Sequence, residues 1–434
     1  MKKRIYRAIN VKEVDVEKIV LEMSGTRAVV GVDVAKEVMF AAISDKRRKV
    51  HCTVKWHHPG QTGLFIEKLE ELRGYGAEVE VAMEPSGTYG DALRVGLWDA
   101  CLPVWRVSPK RSHDAAEVHD GVPSLHDAKS SAIVAKLHLD EASEPWPIKS
   151  EEERTLVAAL QALKVYQGQF QRNKNRIENL LARHWPGVTE LLELDSATLL
   201  ELLAAYGSPQ AVVSNERQAR KLMRRVGGRF LKGEKIEAVI DNAKHTIGMK
   251  LVEEERRLVM EIAREARRNQ RESQKARRNV ERLTEHHPST EVMSEAIGKT
   301  TAAVMVAAVG DPLGYDNATA YLKATGLNLK EHSSGKNKKG GLHISKRGPG
   351  VARMFLYLAV LRLIRSNAVV RAWYAKKVAR QGGKMKSKAV VAIMRKLVKA
   401  LWYVARGSRF DATKLFDVRR LNLSEHVAVT VLGH

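Results

Sequence analysis

AVVGVDVAKEVMFAAI, the run over residues 28–43, decides the fold of the N-terminal part of this chain. It is dominated by β-branched and small apolar residues, and an acid, Asp33, stands between two valines within it. Such a composition predicts buried β-structure. A turn near Ser44 and a second strand-like run over residues 50–56 predict a hairpin beside it.

The segments that follow alternate between helix-like and strand-like patterns. Residues 63–73 and 91–100 predict helices, and residues 78–83 (EVEVAM) and 102–107 predict strands. Strands that alternate with helices indicate an α/β layered domain. The EVEVAM strand delivers Glu84 to a Pro-Ser-Gly loop, at the strand end where open α/β sheets usually bind ligands.

A third acid, Asp127, lies at the predicted start of a helix that extends to Leu139. An aspartate in this place commonly caps a helix or complements its dipole, and an acid such as Asp33 commonly ends a strand. The alternative interpretation is functional. Asp33, Glu84 and Asp127 each lie at an element end in a domain small enough to bring them together, and Mg²⁺ prefers clusters of such oxygens.

The composition indicates a folded protein that binds a polyanion. The chain has 434 residues, 44% of them hydrophobic, and a formal net charge of +24 that is spread over several segments. An extended polyanion such as DNA or RNA is therefore the expected partner. No apolar run reaches the ~18–20 residues of a membrane span. The basic first residues lack the apolar core of a secretion signal, so we expect no membrane partner and a cytoplasmic location.

Two long helical patterns follow, over residues 151–184 and 249–286. An apolar stripe on the first and dense charge on the second predict an antiparallel hairpin or a coiled coil. These helices could be a solvated pair without a further role. Alternatively, they could form a dimer contact that also binds nucleic acid, because the apolar stripe requires a packing partner and the excess arginine favours an anion. Residues 186–248 predict a small helical insert, in which LMRRVGGRFLKG is basic enough to touch a phosphate backbone.

The stretch GLNLKEHSSGKNKKGGLHISKRGPG, residues 326–350, combines hydroxyls, glycines and cations. Ser333 and Ser334 precede Gly335, where the backbone can approach a ligand closely. One interpretation is a solvated basic hairpin with ordinary turn serines. The other is a serine that attacks a phosphate, beside cations that neutralise it. The candidate cations are Lys336, Lys338, Lys339, Lys346 and Arg347.

Several of these phrases resemble the motifs of one protein family. GVDVAK around Asp33, AMEPSGTYG around Glu84 and HDAKSSAIVAKL around Asp127 resemble the acidic motifs of the RuvC-like domain in DEDD transposases. AIGKTTAAVMVAAVGDP from Ala296, TGL at residues 325–327, HSSG and ISKRGPG resemble the C-terminal domain of the same insertion-sequence family. That family also contains the Piv-type DNA invertases and the bridge-RNA-guided recombinases. The matches occur in the family's order at both ends of the chain.

The third acidic motif departs from the family's pattern. The family usually has a second aspartate three positions after the first, and alignment through Asp127 puts Ser130 at that position. The fourth acid is therefore missing or supplied elsewhere, and the nearby candidates are His126, Asp120 and Asp114. The Ser130 hydroxyl could also bind Mg²⁺ weakly, or through a water molecule. The number of Mg²⁺ ions, one or two, stays open.

The resemblance implies an α/β RuvC-like (RNase H-like) N-terminal domain, a long helical hairpin or coiled coil, and a mostly α-helical C-terminal transposase domain. We divide the chain accordingly into a basic arm (1–27), the RuvC-like domain (28–145), the helical region (146–290, with the insert at 186–248) and the C-terminal domain with the serine loop (291–420). The acids and the serines then lie in different domains, so the resemblance implies a composite catalytic site.

An activity is implied as well. Ser334 stands directly before glycine, as the family's reactive serine does, and would be the nucleophile of a transposase or site-specific recombinase, with Ser333 as the alternative. Asp33, Glu84 and Asp127 would hold the Mg²⁺. The implied partners are donor and target DNA, a bridge RNA guide and further copies of the chain in a homodimer or homotetramer. Two other functions remain open: a RuvC-type nuclease that cuts branched DNA with water, and a non-catalytic nucleic-acid-binding protein.

Overall fold

The chain forms two compact units, residues 1–150 and residues 151–434, in a computed structural model that describes residues 7–120, 126–330 and 342–421. The first unit is a mixed α/β sheet with helices, and the second is mostly helical. The predicted succession of an α/β part and a helical part is therefore confirmed. The finer domain boundaries and the coiled coil stay predictions.

A seven-stranded sheet organises the first unit. Its strands are β1 (Ile9–Asn10), β2 (Arg27–Asp33), β3 (Val38–Asp45), β4 (Val50–His57), β5 (Glu78–Met83), β6 (Val104–Val107) and β7 (Ser143–Pro145). Their spatial order is β1-β4-β3-β2-β5-β6-β7. Strands β4, β3 and β2 are antiparallel neighbours, whereas β2, β5 and β6 run parallel. The parallel strands end at a common edge, which is where ligands usually bind in such sheets.

Helices cover both faces of this sheet. They are α1 (Val16–Glu22), α2 (Thr62–Gly74), α3 (Asp91–Asp99), α4 (Pro109–Asp120) and α5 (Asp127–Leu139). The main core packs valines of β2 and β5 against leucines of α2 and α3, and α5 lies against β2 and β3. Strand β2 is thus buried on both faces, which explains its uninterrupted apolar sequence.

Two predictions for this unit need correction. The run over residues 28–43 is two strands, because the chain reverses between Asp33 and Val38 and β3 pairs antiparallel with β2. Residues 9–22, predicted to lie in a basic arm, contribute β1 and α1 to the unit, because Val11 and Ile19 are buried in its core. The predicted hairpin onto the strand near residues 50–56 is confirmed as β3–β4.

The second unit consists of helices and one short ladder. The helices are α6 (Glu151–His184), α7 (Val188–Leu191), α8 (Ala197–Tyr206), α9 (Pro209–Ser214), α10 (Glu216–Gly227), α11 (Gly233–His245), α12 (Glu253–Leu283), α13 (Pro288–Ile297), α14 (Lys299–Val309), α15 (Ala318–Ala324), α16 (Gly350–Ser366), α17 (Ala368–Ala379) and α18 (Lys386–Ala405). Strands β8 (Leu329–Lys330) and β9 (His343–Ile344) form the ladder. Across the three described ranges, no helix combines the length and the apolarity that crossing a membrane would take.

The two long helices α6 and α12 pack against each other in antiparallel orientation. The Asn173 side chain donates a hydrogen bond to Glu265 at 3.4 Å, and the His184 ring lies 2.8 Å from the carbonyl oxygen of Met249, just before α12. Helices α7–α11 form the predicted insert and share an apolar core with α6 and α12, which contribute Ile177 and Ala263 to it, and α13–α18 share a second core.

Candidate functional site

The register of two neighbouring strands brings Asp33 and Glu84 to the same edge of the sheet. Strands β2 and β5 are parallel, and Val32 of β2 is the partner of Met83 of β5. Asp33 ends β2 and Glu84 directly follows β5, so their carboxyl groups leave the sheet side by side. Both residues are partly buried. Sequence analysis predicted this strand-end location for Glu84.

Helix α5 lies directly on β2 at Gly31. A Cβ atom on Gly31 would lie 2.2 Å from the carbonyl oxygen of Ser131 and 2.3 Å from the amide nitrogen of Ala135. Only a residue without a side chain permits this approach, which brings the first turn of α5 to the end of β2. Gly31 was not among the residues predicted from the sequence, although it is the first residue of the GVDVAK motif around Asp33.

Asp33 is electrostatically coupled to the other two acids. Burial raises the pKa of Asp33 to about 6, the negative charges of Asp127 and Glu84 add to the rise, and a hydrogen bond from the Ser130 side chain opposes it. Coupling of this kind acts over several ångströms. The structure therefore places Asp127 and Glu84 within electrostatic reach of Asp33.

Ser130 lies at this site through its bond to Asp33. Its side chain is largely buried, with 8% of the residue exposed, in the first turn of α5. It thus supplies a hydroxyl oxygen where the family usually has an acid. In the part of the chain that the structure describes, no three His, Cys, Asp or Glu side chains are grouped as closely as the ligands of a bound metal ion.

The other candidates for the fourth acid lie in different surroundings. Asp114 is exposed on α4, where its carboxylate lies 3.8 Å from the ammonium nitrogen of Lys110. His126 is the N-cap of α5, and its Nδ1 accepts a hydrogen bond from the amide of Lys129 at 3.2 Å. The Asp120 side chain lies outside the described residues. Ser130, in contrast, donates a hydrogen bond to Asp33.

The two ends of the predicted serine loop are joined in the second unit. Leu329 of β8 is the partner of Ile344 of β9. Beyond the ladder, the amide of Ser345 donates to the carbonyl of Asn328 at 2.8 Å. Residues 331–341 lie outside the described residues, and with them Ser333, Ser334, Lys336, Lys338 and Lys339.

Two arginines hold the TGL motif against the later SKRGPG motif. Arg353 donates to the carbonyl oxygens of Thr325 at 3.1 Å and Gly348 at 2.8 Å. Arg395 donates to the carbonyl oxygen of Leu327 at 2.9 Å. Gly326 has a φ of +71°, which glycine adopts without strain. The two motifs therefore form one junction at the base of the loop.

Two of the predicted phosphate-binding cations belong to this junction. Lys346 and Arg347 are both exposed, and the amide of Lys346 donates to the carbonyl of Gly326 at 2.9 Å. Neither side chain has a carboxylate partner among the residues that the structure describes. Their charges thus face solvent, where an anion can reach them.

Two family matches coincide with these two regions. A DEDD family described as "Transposase" matches residues 30–186, which include the sheet and its three acids. This match defines a RuvC-like domain. The family described as "Transposase IS116/IS110/IS902 family" matches residues 294–375, which include the TGL and SKRGPG junction. The two matches together span more than half of the chain, and the chain belongs to the IS110 family of transposases.

A curated relative agrees with this assignment. A 43.6 kDa protein of insertion element IS110 from Streptomyces coelicolor is 25% identical over 256 residues, which are 56% of this chain and 61% of the relative. The chain thus spans 61% of the length of the curated relative that it matches. The predicted membership of an insertion-sequence transposase family is confirmed.

We expect Gly31→Ala to disrupt the acidic site. The new methyl group would overlap backbone atoms of α5, which cannot rotate away as a side chain can. Overpacking of this kind costs about 1–3 kcal/mol of unfolding free energy, measurable by urea titration. The matched control is Gly63→Ala in α2, where a Cβ meets no atom within 4 Å. A Gly31→Ala midpoint equal to that of the control would show that the close approach is not needed.

Proposed function

We propose that this protein is a transposase that cuts and rejoins DNA by phosphoryl transfer, with Ser334 as the nucleophile. The observation that carries the proposal is the electrostatic coupling of Asp33, at the edge of the sheet, to Glu84 and Asp127, in a chain of the IS110 family. Phosphoryl transfer requires that the reacting groups be positioned and that negative charge at the phosphate be neutralised. In this chain the acids with a bound metal ion and the basic residues near the serine loop would meet these requirements.

The three acids suit Mg²⁺ by their chemistry, and their side chains would have to draw closer to bind it, because no three such groups among the described residues are spaced as metal ligands. Carboxylate oxygens are the ligands that this hard cation prefers, and the Ser130 hydroxyl offers a further oxygen. The pKa of Asp33 is raised first by burial and then by the negative charges of Asp127 and Glu84, and a bound cation would oppose both effects. One or two Mg²⁺ ions held by Asp33, Glu84 and Asp127 would supply charge neutralisation to the attacking and leaving oxygens. The acids themselves hold their negative charge at one edge of the sheet.

The proposed step is an exchange of one phosphoester for another. The Ser334 hydroxyl loses its proton and its Oγ forms a bond to the phosphorus, while the bond from phosphorus to one sugar oxygen breaks. That sugar oxygen takes up a proton as it leaves. The energy of the phosphodiester stays in the serine ester, so a second strand can be joined without ATP. Lys346 and Arg347, with Lys336, Lys338 and Lys339, would neutralise the phosphate.

The proposed partners are donor and target DNA, a bridge RNA guide and further copies of the chain in a homodimer or homotetramer. The net charge of +24 supports a nucleic-acid partner. The guide and the assembly are supported only by the family resemblance. If an RNA reads the target, the target sequence need not be encoded in the protein.

One observation favours a second function, a RuvC-type nuclease. The acids lie together in a single unit, and a metal-activated water there could cut DNA without any serine. The test is to incubate the protein with labelled donor and target DNA, the transcript that flanks its gene and Mg²⁺, and then to denature it. Label that stays on the protein supports the transposase, and free cut ends without an adduct support the nuclease.

A further inference from the structure

The turn between α10 and α11 presents a phenylalanine to solvent. Phe230 is 85% exposed in the sequence GGRFLKG, and the Arg229 guanidinium lies 5.0 Å from the centre of its ring. A single exposed apolar residue is common, so the ring becomes informative through the cations around it. The Phe230 ring has no role in the function proposed for the acidic site and the serine loop.

The turn is built so that it holds this ring outward. Gly228 has a φ of +53°, in the left-handed region that favours glycine. A Cβ atom on Gly227 would lie 2.5 Å from the Cβ of Leu231, so the chain doubles back on itself here. Leu231 packs against the core of the insert. With its neighbour anchored inward, Phe230 points away from the core.

The surface around the ring is strongly basic. Residues 216–235 contain eight Lys or Arg and two Glu. Arg220 is neutralised by Glu216 and Glu237. The others have no carboxylate within ion-pair distance among the described residues, and all are exposed; they are Arg217, Lys221, Arg224, Arg225, Arg229, Lys232 and Lys235. Two acids adjoin them in sequence: Glu216, which pairs with Arg220, and Glu234, which is exposed.

We propose that this aromatic-basic turn, residues 224–235, binds a single-stranded segment of nucleic acid. An unpaired base would stack on the Phe230 ring, and the backbone phosphates on either side of it would contact the unpaired cations. Stacking on an aromatic ring and neutralisation by neighbouring Lys and Arg are the two interactions by which proteins hold single strands without reading their sequence. This site is separate from the proposed transposase chemistry and does not depend on it.

Two other partners fit the turn less well. A membrane surface needs a broad apolar face, but the apolar residues of α10, including Ala219 and Met223, are buried in the core of the insert. Duplex DNA would satisfy the cations but keeps its bases stacked on one another, so it would leave the Phe230 ring unused. The combination of one ring with many cations therefore favours unpaired nucleotides.

Photocrosslinking of the full chain tests the proposal directly. Single-stranded oligonucleotides that carry 5-iodouracil, in RNA and in DNA form, are bound, irradiated and digested with trypsin. We expect the crosslink on the peptide of residues 230–232, which trypsin releases after Arg229 and Lys232. We also expect Phe230→Ala to weaken single-strand affinity about tenfold or more and to leave duplex affinity unchanged, because stacking is lost and charge is not.

The controls separate stacking from apolar contact. Phe230→Trp should keep the affinity, whereas Phe230→Leu keeps an apolar side chain and should lose it. Ile247→Ala removes another exposed apolar residue, 95% exposed, and should change nothing. Three results would overturn the proposal: a crosslink that maps elsewhere, equal losses for single strands and duplex, or a change in Phe230→Ala confined to oligomeric state or to binding of anionic vesicles. A higher affinity for the RNA or for the DNA oligonucleotide would show which of the two nucleic acids the turn binds.

Discussion

Ser334→Ala is expected to abolish the covalent protein–DNA adduct and to lower strand exchange by at least about 10³-fold, while DNA binding survives. The reason is that alanine has no oxygen that can form the ester with phosphorus. The cations that bind the phosphate are unchanged in this variant. Adduct formation is measured as label retained on denatured protein, and binding is measured by gel shift.

Ser333→Ala is the matched control, because it removes the same atom one position earlier. We expect it to retain the adduct. If Ser333→Ala loses the adduct and Ser334→Ala keeps it, the assignment of the nucleophile is reversed. If neither variant forms less adduct than the wild type, serine chemistry is wrong and hydrolysis at the acids becomes the better account.

Asp33→Asn is expected to inactivate the protein. In the absence of metal at pH 7.5, the same substitution is expected to increase the free energy of unfolding. Burial raises the pKa of Asp33 from 3.8 to about 6, with further contributions from Asp127 and Glu84. Between these two pH values the folded chain holds a proton that the unfolded chain has lost, so stability falls as pH rises from about 4 to 6. An uncharged amide removes that penalty. Allowing for solvent screening, we expect a gain of about 1 kcal/mol, or about 2–4 °C in the melting temperature.

Melting curves with and without Mg²⁺ separate this effect from a general stabilisation. Mg²⁺ should raise the melting temperature of the wild type at pH 7.5 and do so less at pH 5, where Asp33 is protonated. It should have little effect on Asp33→Asn. Glu67→Gln, an exposed acid on α2, is the control and should behave like the wild type. An equal Mg²⁺ response in Asp33→Asn would remove Asp33 from the metal site.

The two predictions probe different units of the chain. The response of Asp33 to Mg²⁺ concerns the first unit alone and needs no DNA. The Ser334 adduct needs the serine of the second unit, the acids of the first and DNA. A protein that shows the first response and not the second fits a metal-dependent nuclease, and a protein that shows neither fits a non-catalytic nucleic-acid-binding protein.

Local sequence was a good guide to the elements and a poorer one to their assembly. The EVEVAM pattern located β5 at Glu78–Met83, and the long helix α6 was predicted over its full length, because both are set by the spacing of apolar residues. Residues 9–22 were misjudged because their many charges hid Ile9, which pairs with Val54 of β4, and the buried Val16 and Ile19 of α1. The pairing partner lies over 40 residues away, beyond what local pattern can report.

The sequence by itself determined which residue types were available for chemistry and at which element ends they stand. An acid that ends an apolar strand, or begins an apolar helix, can be read from its neighbours because strands and helices have fixed periods. Only the tertiary structure decided that Asp33 is coupled to Glu84 and Asp127, that Ser130 bonds to it, and that Gly31 lets α5 lie on β2. Those features depend on distances between residues far apart in the chain, and such distances are set by strand register and helix packing.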